Sequence, residues 1–130
     1  MLPSTTMRIL LVDDDPILRR ALRQAMVQLG FGLIAEAGDG QEALEVLGGF
    51  RPELIVTDCQ MPRMDGLRLT RALRASGITV PILMISAVGD ERVISAAFAA
   101  GITRFIPKPA GLDELRTAMT ELFGPLPKAA

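Results

Sequence analysis

Histidine, tryptophan and tyrosine are absent from this 130-residue chain, and cysteine occurs once, as Cys59. Without histidine there is no Ser-His-Asp or Cys-His catalysis, almost no zinc-enzyme chemistry, and no phosphohistidine on the chain itself. A lone cysteine excludes an internal disulfide framework and a cysteine-rich metal site. Five Phe make up the whole aromatic complement, too few for base-stacking platforms. No run reaches the roughly eighteen apolar residues of a membrane span. Residues 1–6 lack the basic start and apolar centre of a signal peptide, so a reducing cytoplasm is the expected compartment. The net charge of -1 gives no electrostatic reason to expect nucleic acid or an anionic membrane as a partner. Whatever chemistry the chain performs must come from carboxylates, hydroxyls, lysine and backbone.

What is present is a core. Apolar residues make up 49% of the chain and charged residues 22%, which suits one globular domain that needs no disulfide or metal staple. Apolar runs of strand length alternate with amphipathic segments of helix length, five times over. Ile9-Leu10-Leu11-Val12 is a run without polar residues, as expected of a strand buried on both faces. It stops at Asp13-Asp14-Asp15-Pro16, where Asp15 fits a helix N-cap and Pro16 the first helical residue. Ile17, Leu18, Ala21, Leu22, Ala25, Met26 and Leu29 then form a helical stripe, with Arg19, Arg20 and Arg23 on the other side, and Gly30 ends the helix. Leu33-Ile34-Ala35, Leu54-Ile55-Val56-Thr57, Ile82-Leu83-Met84-Ile85 and Phe105-Ile106 are the remaining strands. The helices between them are expected to bury Ala43, Leu44 and Leu47; Leu67, Thr70 and Leu73; Val93, Ile94, Ala97 and Phe98; and, in the last, Leu112, Leu115, Met119 and Leu122. Strict alternation predicts an α/β, flavodoxin-like, doubly wound parallel sheet of five strands in the order 2-1-3-4-5 with five helices.

In such a sheet ligands bind beyond the carboxyl ends of the strands, where the winding reverses. The order 2-1-3-4-5 puts that point between strands 1 and 3. The residues ending the strands are Asp13 and Asp14, Asp58, Ser86 and Lys108. Three carboxylates on one edge repel one another unless a cation sits among them. Hard oxygen donors with room for water suit Mg²⁺, with Mn²⁺ as the alternative. Lys108 and the Ser86 hydroxyl suit phosphoryl oxygens, the first as a point charge and the second as a directional donor. The set fits phosphoryl transfer with a carboxylate as nucleophile, because Ser86 has no base beside it.

The same residues carry a resemblance. Leu10 to Asp15, the D-x-x-M-P-x-M-D-G run from Asp58 to Gly66, Met84-Ile85-Ser86-Ala87 and Phe105-Ile106-Pro107-Lys108-Pro109 resemble, in order, the receiver domain of two-component response regulators. The likeness spans residues 8–123, leaving 1–7 as an N-terminal extension and 124–130 as a tail. It implies that Asp58 accepts a phosphoryl group from a phosphohistidine on a sensor histidine kinase or a histidine phosphotransfer protein. It also implies that Asp13, Asp14, Asp58 and the Gln60 backbone carbonyl hold Mg²⁺, and that Ser86 and Lys108 close on the phosphate. Phe105 takes the position of the switch aromatic, and the Lys108-Pro109 peptide is expected to be cis. The implied output is a change in the face formed by the fourth helix, fifth strand and fifth helix, which would meet a partner or a second copy. On this reading the domain catalyses only its own phosphorylation and dephosphorylation and is not an enzyme in the usual sense. It would touch neither nucleic acid nor membrane directly.

Two other readings stay open. An aspartyl-phosphate hydrolase would need D-x-D after a strand, which Asp13 and Asp15 formally allow. A phosphate-independent interaction domain on the same fold would need none of the strand-end chemistry. Individually the residues have plainer meanings: the Asp triplet as a cap, Ser86 as a cap, Lys108 as a solvated cation. Gly38-Asp39-Gly40-Gln41-Glu42-Ala43 fits a dinucleotide fingerprint but follows the second strand, so it reads as a turn and helix start. Arg19, Arg20 and Arg23 read either as a solvated face or as a greeting to a kinase.

Overall fold

Alternation along the strands decides the layering. Successive side chains of an extended chain point to opposite faces, so Ile9 and Leu11 pack on one side of the sheet while Leu10 and Val12 pack on the other. The computed structural model describes residues 6–126. Its elements are β1 (Arg8–Val12), α1 (Pro16–Gln28), β2 (Leu33–Ala37), α2 (Gly40–Phe50), β3 (Leu54–Thr57), α3 (Gly66–Ala75), β4 (Ile82–Ser86), α4 (Glu91–Ala100), β5 (Arg104–Pro107) and α5 (Leu112–Phe123). The five strands are parallel in the order β2-β1-β3-β4-β5, as the sequence predicts. Leu11, Val56, Leu83 and Ile85 meet Met26 of α1 and Leu115 and Met119 of α5. On the opposite face Val12, Ile55 and Met84 meet Ala43 of α2, Leu69 and Leu73 of α3 and Ala97 of α4. Met7, assigned from sequence to the extension, also packs into the first of these layers, at 6% exposure. The rest of that extension up to residue 5, and residues 127–130 of the tail, lie outside the described residues.

Four aspartates start four helices. Asp15, Asp39, Asp65 and Asp90 accept from backbone N–H groups of α1, α2, α3 and α4 respectively. Each satisfies donors that a helix start leaves without partners, an effect of about 1 kcal/mol per cap. Asp15 Oδ1 accepts from Ile17 at 2.9 Å and Leu18 at 3.3 Å. The third acid of the triplet is therefore engaged in capping, which leaves Asp13 and Asp14 as the pair at the strand end. Asp39 in the glycine-flanked segment is likewise the cap of α2, and the segment is a turn leading into that helix.

Four apolar side chains depart from the expected core, the small Ala21 of α1 among them. Ile17 is 78% exposed and Leu18 44%, because the first turn of α1 stands past the ends of the strands, at the rim of the acidic cleft that Leu18 lines. Phe98 is 47% exposed: it lies about 100° around α4 from fully buried Ala97, which takes the core position. Strand β2 also runs two residues further than its apolar run, because Glu36 is not solvated but paired. Arg19 Nε and Arg23 Nη1 donate to its two oxygens at 2.7 and 2.6 Å. These two arginines thus tie α1 to the edge strand rather than forming a free basic face. Among the described residues no helix is long and apolar enough to cross a membrane.

Burial pushes the Glu36 carboxyl up, but the hydrogen bonds and charges of Arg19 and Arg23 outweigh it, and its pKa lies below the ordinary glutamate value. A depressed carboxylate contributes stability above the unfolded pKa and loses it as pH falls through the folded one. Glu36→Gln is therefore expected to lower Tm at pH 7 by roughly 3 °C. The gap should narrow as pH falls below the ordinary glutamate range and close once Glu36 is protonated in the folded protein. Thermal melts across that range check this; a difference that does not change with pH would refute the charge pairing.

Candidate functional site

Every strand that reaches the switch point delivers a polar residue there. Asp13 follows β1 directly and is buried, while its neighbour Asp14 is exposed. The Asp13 N–H donates to Ala37 O at 3.1 Å, and the Asp58 N–H to Val12 O at 2.9 Å. Sheet hydrogen bonding thus continues one residue beyond each apolar run and places both aspartates by their backbones. Asp13 Oδ1 accepts from the Asp15 N–H at 2.9 Å, and its backbone carbonyl accepts from Arg19 Nη1 at 2.7 Å. Asp58 Oδ1 accepts from the Cys59 N–H at 2.6 Å. On the neighbouring strands, the Lys108 N–H donates to Ser86 O at 2.9 Å, extending the β4–β5 ladder to the lysine.

Lys108 reaches back across the sheet. Its Nζ donates to Asp13 Oδ2 at 2.9 Å and to Asp58 Oδ2 at 3.1 Å. Burial pulls this ammonium toward neutrality, but the two carboxylates outweigh it and its pKa lies above the ordinary lysine value. It is therefore a permanent positive charge at neutral pH. Carboxylate oxygens of Asp13, Asp14 and Asp58 all lie within 4.8 Å of one another. These acids, with Gln60, Ser86 and Lys108, line one open cleft of about 550 Å³. The six residues singled out at the strand ends and in the following loop are thus brought together.

The donors brought together are three carboxylates, hard oxygen, in an open cleft that leaves space for water. That set fits a small divalent cation such as Mg²⁺. Cys59 does not compete as a soft ligand. It is buried, and burial, then the charges of Asp65 and Asp58, push its thiol pKa up and keep it protonated. Ser86 is buried, and its Oγ accepts from the Val88 N–H at 3.1 Å. Phe105 is half-buried and packs against Gly89 in the loop after β4, where an added Cβ would come within 3.1 Å of the ring. The Lys108-Pro109 peptide is cis, as expected.

Some of the site's support was not legible in the sequence. Gly66 opens α3 directly against Asp58: a Cβ there would lie 2.1 Å from the Asp58 carbonyl oxygen, and the Gly66 N–H donates to Cys59 O at 2.7 Å. The glycine is thus what lets the chain double back behind the acid. The signal was its place at the end of the D-x-x-M-P-x-M-D-G run, but only the fold supplies the reason. Arg63, in the same loop, pairs with Asp39 at 2.7 Å, a contact across the fold that spacing does not reveal.

A doubly wound parallel domain with three acids and a lysine at its switch point defines the class, and comparison with known proteins gives the family. The sequence matches the family model of the response regulator receiver domain over residues 9–120. Curated relatives include response regulator MprA of Mycobacterium avium (strain 104), 40% identical over 117 residues, which cover 90% of this chain and 51% of that protein. The MprA of Mycobacterium bovis (strain BCG / Pasteur 1173P2) is 39% identical over 118 residues, 91% of this chain and 51% of that protein. The chain thus spans about half the length of these relatives. Among solved structures, the CheX-CheY-BeF3-Mg+2 complex from Borrelia burgdorferi superposes with a TM-score of 0.85 at 27% identity, covering 90% of this chain and 89% of that one. A LuxR-family two-component response regulator from Aurantimonas sp. SI85-9A1 gives 0.83 at 30%, covering 95% and 90%. The chain belongs to the response regulator receiver domain family of two-component signalling.

Gly66→Ala is expected to cost about 3 kcal/mol, or roughly 10 °C in Tm, because backbone rather than a flexible side chain must give way. Differential scanning calorimetry checks it; a change under 2 °C or so would mean the α3 start relaxes freely.

Proposed function

We propose that this domain is a phosphorylation-controlled switch in which Asp58 accepts the phosphoryl group. The observation that carries the reading is the Lys108 ammonium bonded to both Asp13 and Asp58, with Asp14 completing a tight acidic cluster beside it. In the proposed reaction an Asp58 carboxylate oxygen attacks phosphorus. The P–O bond forms as the P–N bond of a phosphohistidine breaks, and the departing nitrogen keeps the electron pair and takes a proton from solvent. Asp13, Asp14, Asp58 and the Gln60 carbonyl would hold Mg²⁺ or Mn²⁺, which neutralises charge on the carboxylates and on incoming phosphoryl oxygens. Lys108 is free to exchange its Asp58 contact for a phosphoryl oxygen, gaining a doubly charged partner. Ser86 would exchange its Val88 N–H contact for donation to the phosphate, carrying the loop after β4 with it. The Phe105 ring, which rests on that loop at Gly89, would turn inward. The α4–β5–α5 face would then shift its population toward a form that binds a partner or a second copy. On this reading residues 8–123 are the switch, and it acts in the cytoplasm, only on its own aspartate.

The phosphodonor would be a sensor histidine kinase or a histidine phosphotransfer protein. Leu18, which lines the cleft, and its exposed neighbour Ile17 would form the apolar ground on which such a protein seats itself. No direct contact with nucleic acid is proposed for this domain.

Incubated with Mg²⁺ and a small acyl phosphate, the wild type is expected to gain one phosphoryl group by intact mass, and Asp58→Ala none. An unmodified wild type, or a modified Asp58→Ala, would reject the acceptor. The same assay with phosphate esters tests for a hydrolase, which would turn them over.

Ile17→Glu separates docking from chemistry. Transfer from a phosphohistidine protein should slow about tenfold, while uptake from the acyl phosphate stays unchanged. Equal rates from the protein donor, followed by quenched-flow labelling, would move the docking surface elsewhere.

A further inference from the structure

Outside the acidic cleft the most buried carboxylate among the described residues is Asp39, with 8% of its side chain exposed. One of its oxygens caps α2 by accepting from the Glu42 N–H at 2.9 Å. The other accepts from Arg63 Nε at 2.7 Å. Arg63 belongs to the β3–α3 loop, residues 58–65, the same loop that carries Gln60. A second tie joins the same two places. The Gly40 N–H donates to Met64 O at 3.0 Å, and the approach is so close that a Cβ on Gly40 would lie 2.8 Å from that oxygen.

The loop needs holding. Arg63 has φ +62°, the left-handed region that residues other than Gly, Asn and Asp seldom adopt. Within the loop the Met64 N–H turns back to Pro62 O at 2.7 Å. Among the described residues no backbone hydrogen bond fixes Gln60 or Met61. Position at Gln60 therefore comes from its two neighbours in the chain, the Asp58–Cys59 end tied down at Gly66 and the Arg63–Met64 end tied to α2. The Asp39 carboxyl sits below its ordinary range because of the Arg63 guanidinium and the Glu42 N–H, as expected of a pair that stays ionised.

We propose that the Asp39–Arg63 ion pair is a latch that fastens the β3–α3 loop to the start of α2 and so aims the Gln60 carbonyl at the divalent cation. Arg63 and Asp39 are positioning residues in this scheme: neither touches the cation or the phosphate. The inference rests on the metal-binding reading above. It adds that cation affinity is set partly by Arg63, which stands between Pro62 and Met64 in the D-x-x-M-P-x-M-D-G run.

The test is calorimetric titration of Mg²⁺ into the full chain as wild type, Arg63→Asn and Arg63→Lys. Asparagine tolerates the left-handed backbone, so the first variant removes the cation without straining the loop further. Arg63→Asn is expected to bind Mg²⁺ about tenfold more weakly, the lower end of what losing a residue behind a metal ligand costs, with Arg63→Lys within about twofold. Without Mg²⁺ the Tm of Arg63→Asn should stay within about 2 °C of wild type, and exchange of the Gly40 amide should quicken. If the wild type binds Mg²⁺ and Arg63→Asn binds it equally well, the latch is rejected while the metal site stands. A wild type that takes up no Mg²⁺ would overturn the metal site and the latch's role with it. If both variants lost Tm and affinity in parallel, the pair would be a prop for the fold, and the proposal would also fall.

Discussion

The site depends on one cation reaching two anions across three strands. Asp13 and Asp58 end adjacent strands, with their backbones pinned by the sheet's own hydrogen bonds. Neither can retreat from the other, and Asp14 adds a third charge close by. At a low-dielectric sheet edge such an arrangement is repulsive unless positive charge is built in. Lys108 supplies it from the strand β5 end, with its ammonium between the two acids. The pairing also keeps the lysine charged, so the cleft has a fixed point charge ready for any anionic group that arrives. On the proposed reading, an incoming phosphoryl group would meet a cation that already has a carboxylate contact to exchange.

Around this pair the fold spends its aspartates in two ways. Those at the strand ends face the cleft, while Asp15, Asp39, Asp65 and Asp90 are bound to helix N-termini. Capping is local and is satisfied within three residues, so it is readable from spacing. Convergence of Asp13, Asp58 and Lys108 spans 95 residues of chain and needs the sheet. Asp39 does both: one oxygen serves its helix and the other a loop from a different part of the chain.

Large apolar side chains stay exposed at the start of α1 and on α4. Leu18 lines the cleft beside exposed Ile17, and α4 leaves Phe98 in solvent. Both places looked like core in the amphipathic pattern. The pattern marks which residues are apolar on one side of a helix, but burial also requires sheet or helix opposite them. The first turn of α1 runs out beyond the strands and α4 is covered on one flank only, so these side chains stay in solvent.

Strand and helix order, the parallel sheet, the capping role of Asp15 and the strand-end set of acids, serine and lysine were all legible from residue order, because periodicity and caps are local effects. The reach of β2 to Ala37 was not, since Glu36 interrupts the apolar run and is made acceptable only by Arg19 and Arg23 from α1. Nor were the need for glycine at position 66 or the partnership of Arg63 with Asp39, which depend on backbone segments meeting at contact distance. The sequence by itself determined which chemistry was available and on which edge of the sheet it would gather. The tertiary structure alone decided which charges are paired and which apolar groups remain uncovered, because Coulomb energy and burial depend on distances that chain order does not contain.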